Sequence, residues 1–158
     1  MTVVAQGFPQ RPRVVFMGSA DFSVPSLQAV VDAGCEVVLV VTRPDKPRGR
    51  HLEMARTPLR ELADRLSLPC ITPKGLRDLD TQNAIRAAAP DVIVVVAYGR
   101  ILPPEVLTIP VHGCINVHGS LLPKYRGAAP IQWAVIHGED ETGVTIMRMD
   151  EGCDTGPI

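Results

Sequence analysis

No purely apolar run in the chain is longer than Val92–Ala97. A membrane-crossing helix needs roughly 20 apolar residues, so a helical span is excluded and no membrane partner is expected. There is no C-x-x-C pair: Cys35, Cys70, Cys114 and Cys153 are widely spaced. A zinc ribbon or thioredoxin-type motif is thereby excluded, and free, buried thiols in a reducing compartment are the expectation. Net charge is nearly absent, −1 at pH 7, which excludes a global basic field for nucleic acid but not a local basic patch. Met1 to Arg13 lacks a charged segment followed by an apolar one, so no secretory signal is visible there and a cytoplasmic location is expected. Internal repeats and low-complexity tracts are missing too. What remains is 158 residues, 46% hydrophobic and 21% charged, the composition of one globular domain able to bury a single substantial core.

Hydrophobic periodicity alternates along the chain. Short β-rich runs are expected at Arg13–Met17, Glu36–Thr42, Cys70–Ile71, Asp91–Ala97, Gly113–Val117 and Gly143–Met149. Helical spacing falls between them, at Ser23–Ala33, Pro58–Leu66, Thr81–Ala88, after Pro103–Pro104, and at Pro130–His137. Pro25 suits a first helical turn and Gly34 a helix stop. Strands separated by helices imply right-handed crossovers and an α/β fold: a Rossmann-like, mainly parallel sheet with helices on both faces. Val92–Val96 has no polar alternation, as expected of a central strand covered on both sides. Ligands of such sheets bind beyond the carboxyl ends of the strands. One segment departs from the beat. Residues 43–60 hold Arg43, Lys46, Arg48, Arg50, Arg56 and Arg60 against only Asp45 and Glu53, and Pro44, Pro47 and Gly49 predict a loop in its first half.

Three features carry candidate chemistry. Gly18-Ser19-Ala20-Asp21-Phe22 follows the first strand and precedes the first helix, where free N–H groups can meet an anion. The full G-x-G-x-x-G is missing, so a dinucleotide site is weakly supported, and a plain turn capped by Ser or Asp is the better reading of this stretch alone. Asn116 and His118 are two apart on a strand and project from one face at its C-terminal end. Asn offers an N–H donor to an oxyanion and His carries protons near neutrality; a polar strand end with a hydrogen-bonded His is the plainer alternative. Asp154, in a glycine-bracketed turn, could orient His118 or could make only a local Asx bond. Leu121 to Pro130 is a long loop, apolar at its start, that could be pocket wall or core filler.

The stretches Val15–Phe22, Thr42–Arg50, Val94–Pro103, Cys114–Pro130 (C-I-N-V-H-G-S-L-L-P-K-Y-R-G-A-A-P) and Thr142–Ile146 with Met149–Gly156 together resemble the formyltransferase superfamily that uses 10-formyltetrahydrofolate. Within it the likeness is greatest to the family that formylates methionyl-tRNA, and it covers essentially residues 13–158. The resemblance implies transfer of a formyl group from 10-formyltetrahydrofolate to the free α-amine of initiator methionyl-tRNA, without a metal. It implies Asn116, His118 and Asp154 as the catalytic trio. It implies Ser120, Leu121, Leu122, Pro123, Tyr98, Gly99, Ile101, Leu102, Asp150, Glu151 and Gly152 around tetrahydrofolate. It implies Gly18, Ser19, Asp21 and Phe22 near the aminoacyl end, and Arg43, Lys46, Arg48 and Arg50 as a basic arm on the tRNA.

Two departures from that family stand out. Its loop often carries Gly and two Lys after Arg-Gly-Arg, whereas His51-Leu52-Glu53 follows here. Relatives also continue past the Asp-Thr-Gly stretch into more catalytic domain and a β-rich C-terminal domain. The expectation is a flexible extension at 1–12, then an incomplete catalytic domain at 13–158 that acts as a monomer and exposes apolar surface. Two other functions stay open: a folate-binding remnant without turnover, and a formyltransferase acting on another amine such as glycinamide ribonucleotide.

Overall fold

The computed structural model describes residues 7–48 and 53–158. In chain order the elements are β1 (Arg13–Gly18), α1 (Val24–Asp32), β2 (Glu36–Val41), β3 (Lys46–Arg48), β4 (Glu53–Ala55), α2 (Pro58–Arg65), β5 (Cys70–Ile71), α3 (Leu79–Ala87), β6 (Val92–Val96), α4 (Pro104–Leu107), β7 (Cys114–His118), α5 (Pro130–Ile136) and β8 (Thr145–Arg148). Six strands form one sheet in the order β5-β2-β1-β6-β7-β8. All pairs are parallel except β7 with β8, as a mainly parallel α/β sheet requires.

Side-chain alternation divides the core in two. Val14 and Phe16 of β1, with Val92 and Val96 of β6, face Leu27 of α1 and Leu59 and Leu62 of α2. Val15, Met17, Ile93 and Val95 face the other way, against Ile85 of α3 and Val106 of α4. Both strands are therefore buried on both faces, which is why their sequence carries no polar alternation. Two helix starts are set by side-chain caps: Thr57 accepts from the Arg60 N–H and Asp78 from the Thr81 N–H.

The chain fills one side of β1 first and then returns to the other. β1 and β6 thus straddle the point where strand order reverses, and a crevice opens at their C-terminal ends.

The structure corrects the sequence reading in three places. Within the basic segment, where a loop is expected, Lys46–Arg48 instead pairs antiparallel with Glu53–Ala55, Lys46 opposite Ala55, Pro47 opposite Met54 and Arg48 opposite Glu53, while residues 43–45 are irregular. A two-stranded ribbon has an open edge on each strand, so Pro47 is tolerated within it. Between β1 and α1 lies a 3-10 turn, Asp21–Ser23. Neither Ser19 nor Asp21 caps a helix: Ser19 Oγ accepts from the Arg43 N–H at 3.2 Å, and the cap positions, Ala20 and Ser23, make no side-chain cap bond. Of the four cysteines, all free, only Cys114 is buried; Cys35 and Cys70 are half-buried and Cys153 is exposed. No described helix is long and apolar enough to cross a membrane. α5 turns Trp133, Val135 and Ile136 toward solvent, and Val144 before β8 and Ile146 within it are exposed as well.

Candidate active site

β7 delivers the two central side chains. Its register sets Asn116 opposite Val95 of β6 and Met147 of β8, and His118 opposite Thr145. Both side chains face a cleft of about 900 Å³ at the C-terminal ends of β1, β6 and β7, within the ordinary size of a small-molecule site. The turn after β8 folds back and brings Asp154 to them.

The Asp154 carboxylate is fully engaged. Oδ1 accepts from Asn116 Nδ2 at 3.1 Å, and Oδ2 accepts from the Gly127 N–H at 2.8 Å. Oδ2 also stands 3.5 Å from His118 Nδ1. His118 is 6% exposed and Asp154 14%, so the pair is weakly screened by solvent. The other ring nitrogen, Nε2, lies 2.8 Å from the Tyr125 carbonyl. A carbonyl only accepts, so Nε2 carries a proton there. Both ring nitrogens thus face oxygen atoms of the protein. Of the two readings of Asp154, the geometry selects the long-range one, since its oxygens reach Asn116, Gly127 and His118.

The backbone around the cleft is held in an uncommon conformation. Six described residues other than glycine have φ in the left-handed region, and Ala97, Tyr125, Ala129 and Asp154 are four of them. Such residues persist where their surroundings over-determine them, and they gather at functional sites. Ala97, Ala129 and Asp154 line the cleft, and Tyr125 lends its carbonyl to His118.

The opposite wall comes from the loop after β6 and from Arg43. Tyr98 is 1% exposed, and among the described residues its Oη finds no hydrogen-bond partner. Burial pushes its phenol above the ordinary tyrosine range, against the opposing pull of Arg100 and Arg43. Arg43 spans the cleft mouth: its backbone N–H donates to Ser19 Oγ at 3.2 Å, and Nη2 donates to the Gly99 carbonyl. Gly99 sits at φ +70, a conformation that side chains beyond hydrogen rarely adopt, which explains the glycine. Arg43 therefore belongs to the cleft wall as well as to the basic segment.

Of the residues expected around folate, Tyr98, Gly99, Ile101, Leu102, Asp150 and Gly152 line the cleft, as do Asn116, His118 and Asp154. The structure does not bring Ser120, Leu121, Leu122, Pro123 or Glu151 into that lining. Ser120 is fully buried, with Oγ donating to the Lys124 carbonyl, and the Leu122 N–H donates to Thr145 Oγ1. Those partners fasten the loop to β8 and turn it away from the cleft. Ser19 and Phe22 line the cleft, whereas Gly18 and Asp21 do not. Lys46 and Arg48 lie on the ladder strand β3, and Arg50 lies outside the described residues. Two other cations of the basic segment are paired, Arg56 with Asp64 at 2.6 Å and Arg60 with Asp45 at 2.7 Å. Sequence reasoning missed the role of Gly127, whose N–H binds Asp154; it also missed Met147 and Met149 as cleft lining. Gly127 sits at φ +85, and a glycine in a long loop was the one visible signal. Among the described residues no group of three or more His, Cys, Asp or Glu is placed to hold a metal ion.

The family model described as formyl transferase matches residues 12–158. A methionyl-tRNA formyltransferase of Pelotomaculum thermopropionicum is 59% identical over 146 residues, covering 92% of this chain and 47% of that protein. One from Myxococcus xanthus is 56% identical over 148 residues, covering 94% and 47%. The chain thus spans about half the length of the curated relatives it matches. Among solved structures, a phosphoribosylglycinamide formyltransferase from Bacillus halodurans superposes with TM-score 0.73 at 25% identity, covering 92% of this chain and 75% of that one. A formyltetrahydrofolate deformylase from Pseudomonas syringae superposes with TM-score 0.70 at 25% identity, covering 94% and 49%.

Proposed function

The chain belongs to the formyl transferase family, and from that premise we propose that it moves a formyl group from 10-formyltetrahydrofolate to the α-amine of initiator methionyl-tRNA. The observation that carries this reading is the convergence of Asn116, His118 and Asp154 at the rim of one cleft. The relatives named methionyl-tRNA formyltransferase support the choice of amine.

The chemistry needs little beyond positioned dipoles and a proton path. The amine nitrogen attacks the formyl carbon, a new C–N bond forms, and the carbonyl oxygen becomes an oxyanion. The Asn116 amide has two N–H groups; one is bound by Asp154, which fixes the plane in which the other points. That second N–H is the donor for the oxyanion. The Nε2–H of His118 is the second donor once the substrate oxygen displaces the Tyr125 carbonyl from it. Asp154 Oδ2, facing Nδ1 from 3.5 Å, holds the ring in its place at the cleft. Collapse breaks the bond from the formyl carbon to N10 of the folate. The proton lost by the amine ends on N10, relayed through water held near Asp154. Products are N-formylmethionyl-tRNA and tetrahydrofolate, with all atoms accounted for.

Lys46, Arg48 and Arg50, with Arg43 at the cleft mouth, supply the positive charge that would meet tRNA phosphates, giving salt-dependent binding. Under this reading the chain acts as a monomer in the cytoplasm, where charged initiator tRNA is found.

The deciding assay mixes the chain with 10-formyltetrahydrofolate and methionyl-tRNA and looks for N-formylmethionine after base hydrolysis. Formation of that product is the expected result. Saturable folate binding without product, or formylation of glycinamide ribonucleotide in place of methionyl-tRNA, overturns the reading.

A further inference from the structure

The carbonyl that accepts from His118 belongs to Tyr125, a residue with φ +55. An aromatic side chain does not adopt the left-handed region without support. That support lies on the far side of the loop, away from the cleft. Tyr125 Oη lies 2.6 Å from Glu139 Oε1 and 3.0 Å from His137 Nδ1. A carboxylate can only accept, so the phenol proton goes to Glu139 and His137 Nδ1–H donates to the phenol oxygen.

Glu139 is itself held by the backbone. α5 ends at Ile136, and His137 is its C-cap. Gly138 follows at φ +64, with its N–H donating to the Val135 carbonyl, while the Glu139 N–H donates to the Ala134 carbonyl. This is the double bond pattern of a Schellman cap, and it places Glu139 at a fixed point beyond the helix. Lys124 Nζ reaches the second carboxylate oxygen at 2.9 Å.

We propose that Tyr125 and Glu139 form a clamp that positions His118, with the capped end of α5 as its anchor. Glu139 fixes the phenol, the phenol fixes the residue 125 backbone, and the residue 125 carbonyl fixes which nitrogen of His118 carries the proton. Both clamp residues are positioning residues, since neither lines the cleft. The Tyr125 proton holds the Glu139 carboxyl below the ordinary carboxylate range, and the bond raises the phenol of Tyr125 in turn.

The consequence for turnover rests on the proposed formyl transfer, but the clamp is read separately, by nitrogen NMR of the His118 ring in the chain labelled with ¹⁵N-histidine. His118 resonances are identified by their loss in His118→Gln. In alkaline solution the parent ring carries its proton on Nε2. In Tyr125→Phe and in Glu139→Ala the ring shifts toward the Nδ1–H form, which donates to Asp154. Glu139→Gln, whose side-chain carbonyl still accepts, keeps the parent pattern. In the formylation assay, Tyr125→Phe and Glu139→Ala each lower kcat about tenfold with KM unchanged, and the double variant is no worse than either single one. An unchanged Nε2–H pattern in Tyr125→Phe overturns the clamp, as do additive losses or a loss confined to KM. If the ring shifts as expected in a chain that forms no formylmethionine, the clamp stands and the formyl-transfer reading falls.

Discussion

Asn116 Nδ2 donates to Asp154 Oδ1 at 3.1 Å across 38 residues of sequence. The bond joins the last turn of a parallel strand to a residue held at φ +53 in the turn after β8. β8 runs antiparallel to β7, from Thr145 opposite His118 to Arg148 opposite Ile115, and the turn that follows it doubles back to bring Asp154 to Asn116. This one interaction orients an amide donor and also leaves the second carboxylate oxygen facing His118.

Asp154→Asn tests that arrangement. The amide that replaces the carboxylate must turn an NH₂ group toward either Asn116 or Gly127, both of which are donors. Folate affinity is expected to stay within about twofold, while single-turnover formylation falls roughly a hundredfold or more. Equal losses in folate binding and turnover would instead mark Asp154 as part of the folate site.

Gly18→Ala separates packing from substrate binding. A Cβ there would lie 2.7 Å from the Val96 carbonyl oxygen and 2.7 Å from Ser23 Cβ. The crowding comes in part from backbone, so a rotamer change cannot relieve it. Stability is expected to fall by ~1–3 kcal/mol, read as a lower thermal midpoint, with KM for methionyl-tRNA unchanged. A raised KM at parental stability would return Gly18 to the aminoacyl site.

Most elements were legible from local pattern. Val92–Val96 reads as a doubly covered strand because it lies between Val14–Gly18 and Cys114–Val117 in the middle of the sheet, with helices over both faces. Asn116 and His118 were placed on one face by strand period alone. The ladder of Lys46–Arg48 with Glu53–Ala55 was not legible, since three-residue strands around Pro47 carry no alternation. Nor was the fate of Ser120–Pro123. Its apolar character fits a pocket wall, but Thr145 on a distant strand takes up its backbone groups, and nothing near residue 120 announces that partner. The contribution of the Gly127 N–H is of the same kind: a backbone donor acquires a role only when a remote carboxylate arrives.

Cys114 is expected to tie stability to alkaline pH. Burial pushes its thiol up to about 12, with Arg148 pulling weakly the other way. A group whose pKa is raised by folding contributes stability that is complete below its unfolded value and is lost as pH rises through the folded one. The unfolded thiol ionises near about 8.5, so this contribution declines between roughly pH 8.5 and 12. Thermal midpoints measured across that interval should slope downward in the parent, and Cys114→Ala should flatten part of the slope. An identical slope in both chains would assign the alkaline loss to other groups. At roughly pH 8, below the ordinary thiol range, a thiol reagent should reach exposed Cys153 promptly and leave Cys114 untouched until unfolding.

The basic segment makes the last test one of charge and not of shape. Arg56 is paired with Asp64 at 2.6 Å, so its charge is already answered within the chain. Between Lys46 and Glu53 the sequence holds Arg48 and Arg50 and no carboxylate, and Glu53, at the register position opposite Arg48, is one acidic residue against the three cations of that stretch. If that stretch meets phosphates, each cation removed should shallow the dependence of log K on log salt by about 0.7–0.9. The pair Arg48→Ala and Arg50→Ala should then flatten the slope for tRNA by roughly 1.5, whereas Arg56→Ala leaves it unchanged. Measuring binding at several salt concentrations distinguishes this from a general weakening, because a variant that merely distorts the ladder lowers affinity by the same factor at every concentration. Equal slopes in all three chains would make the segment an ordinary solvated surface.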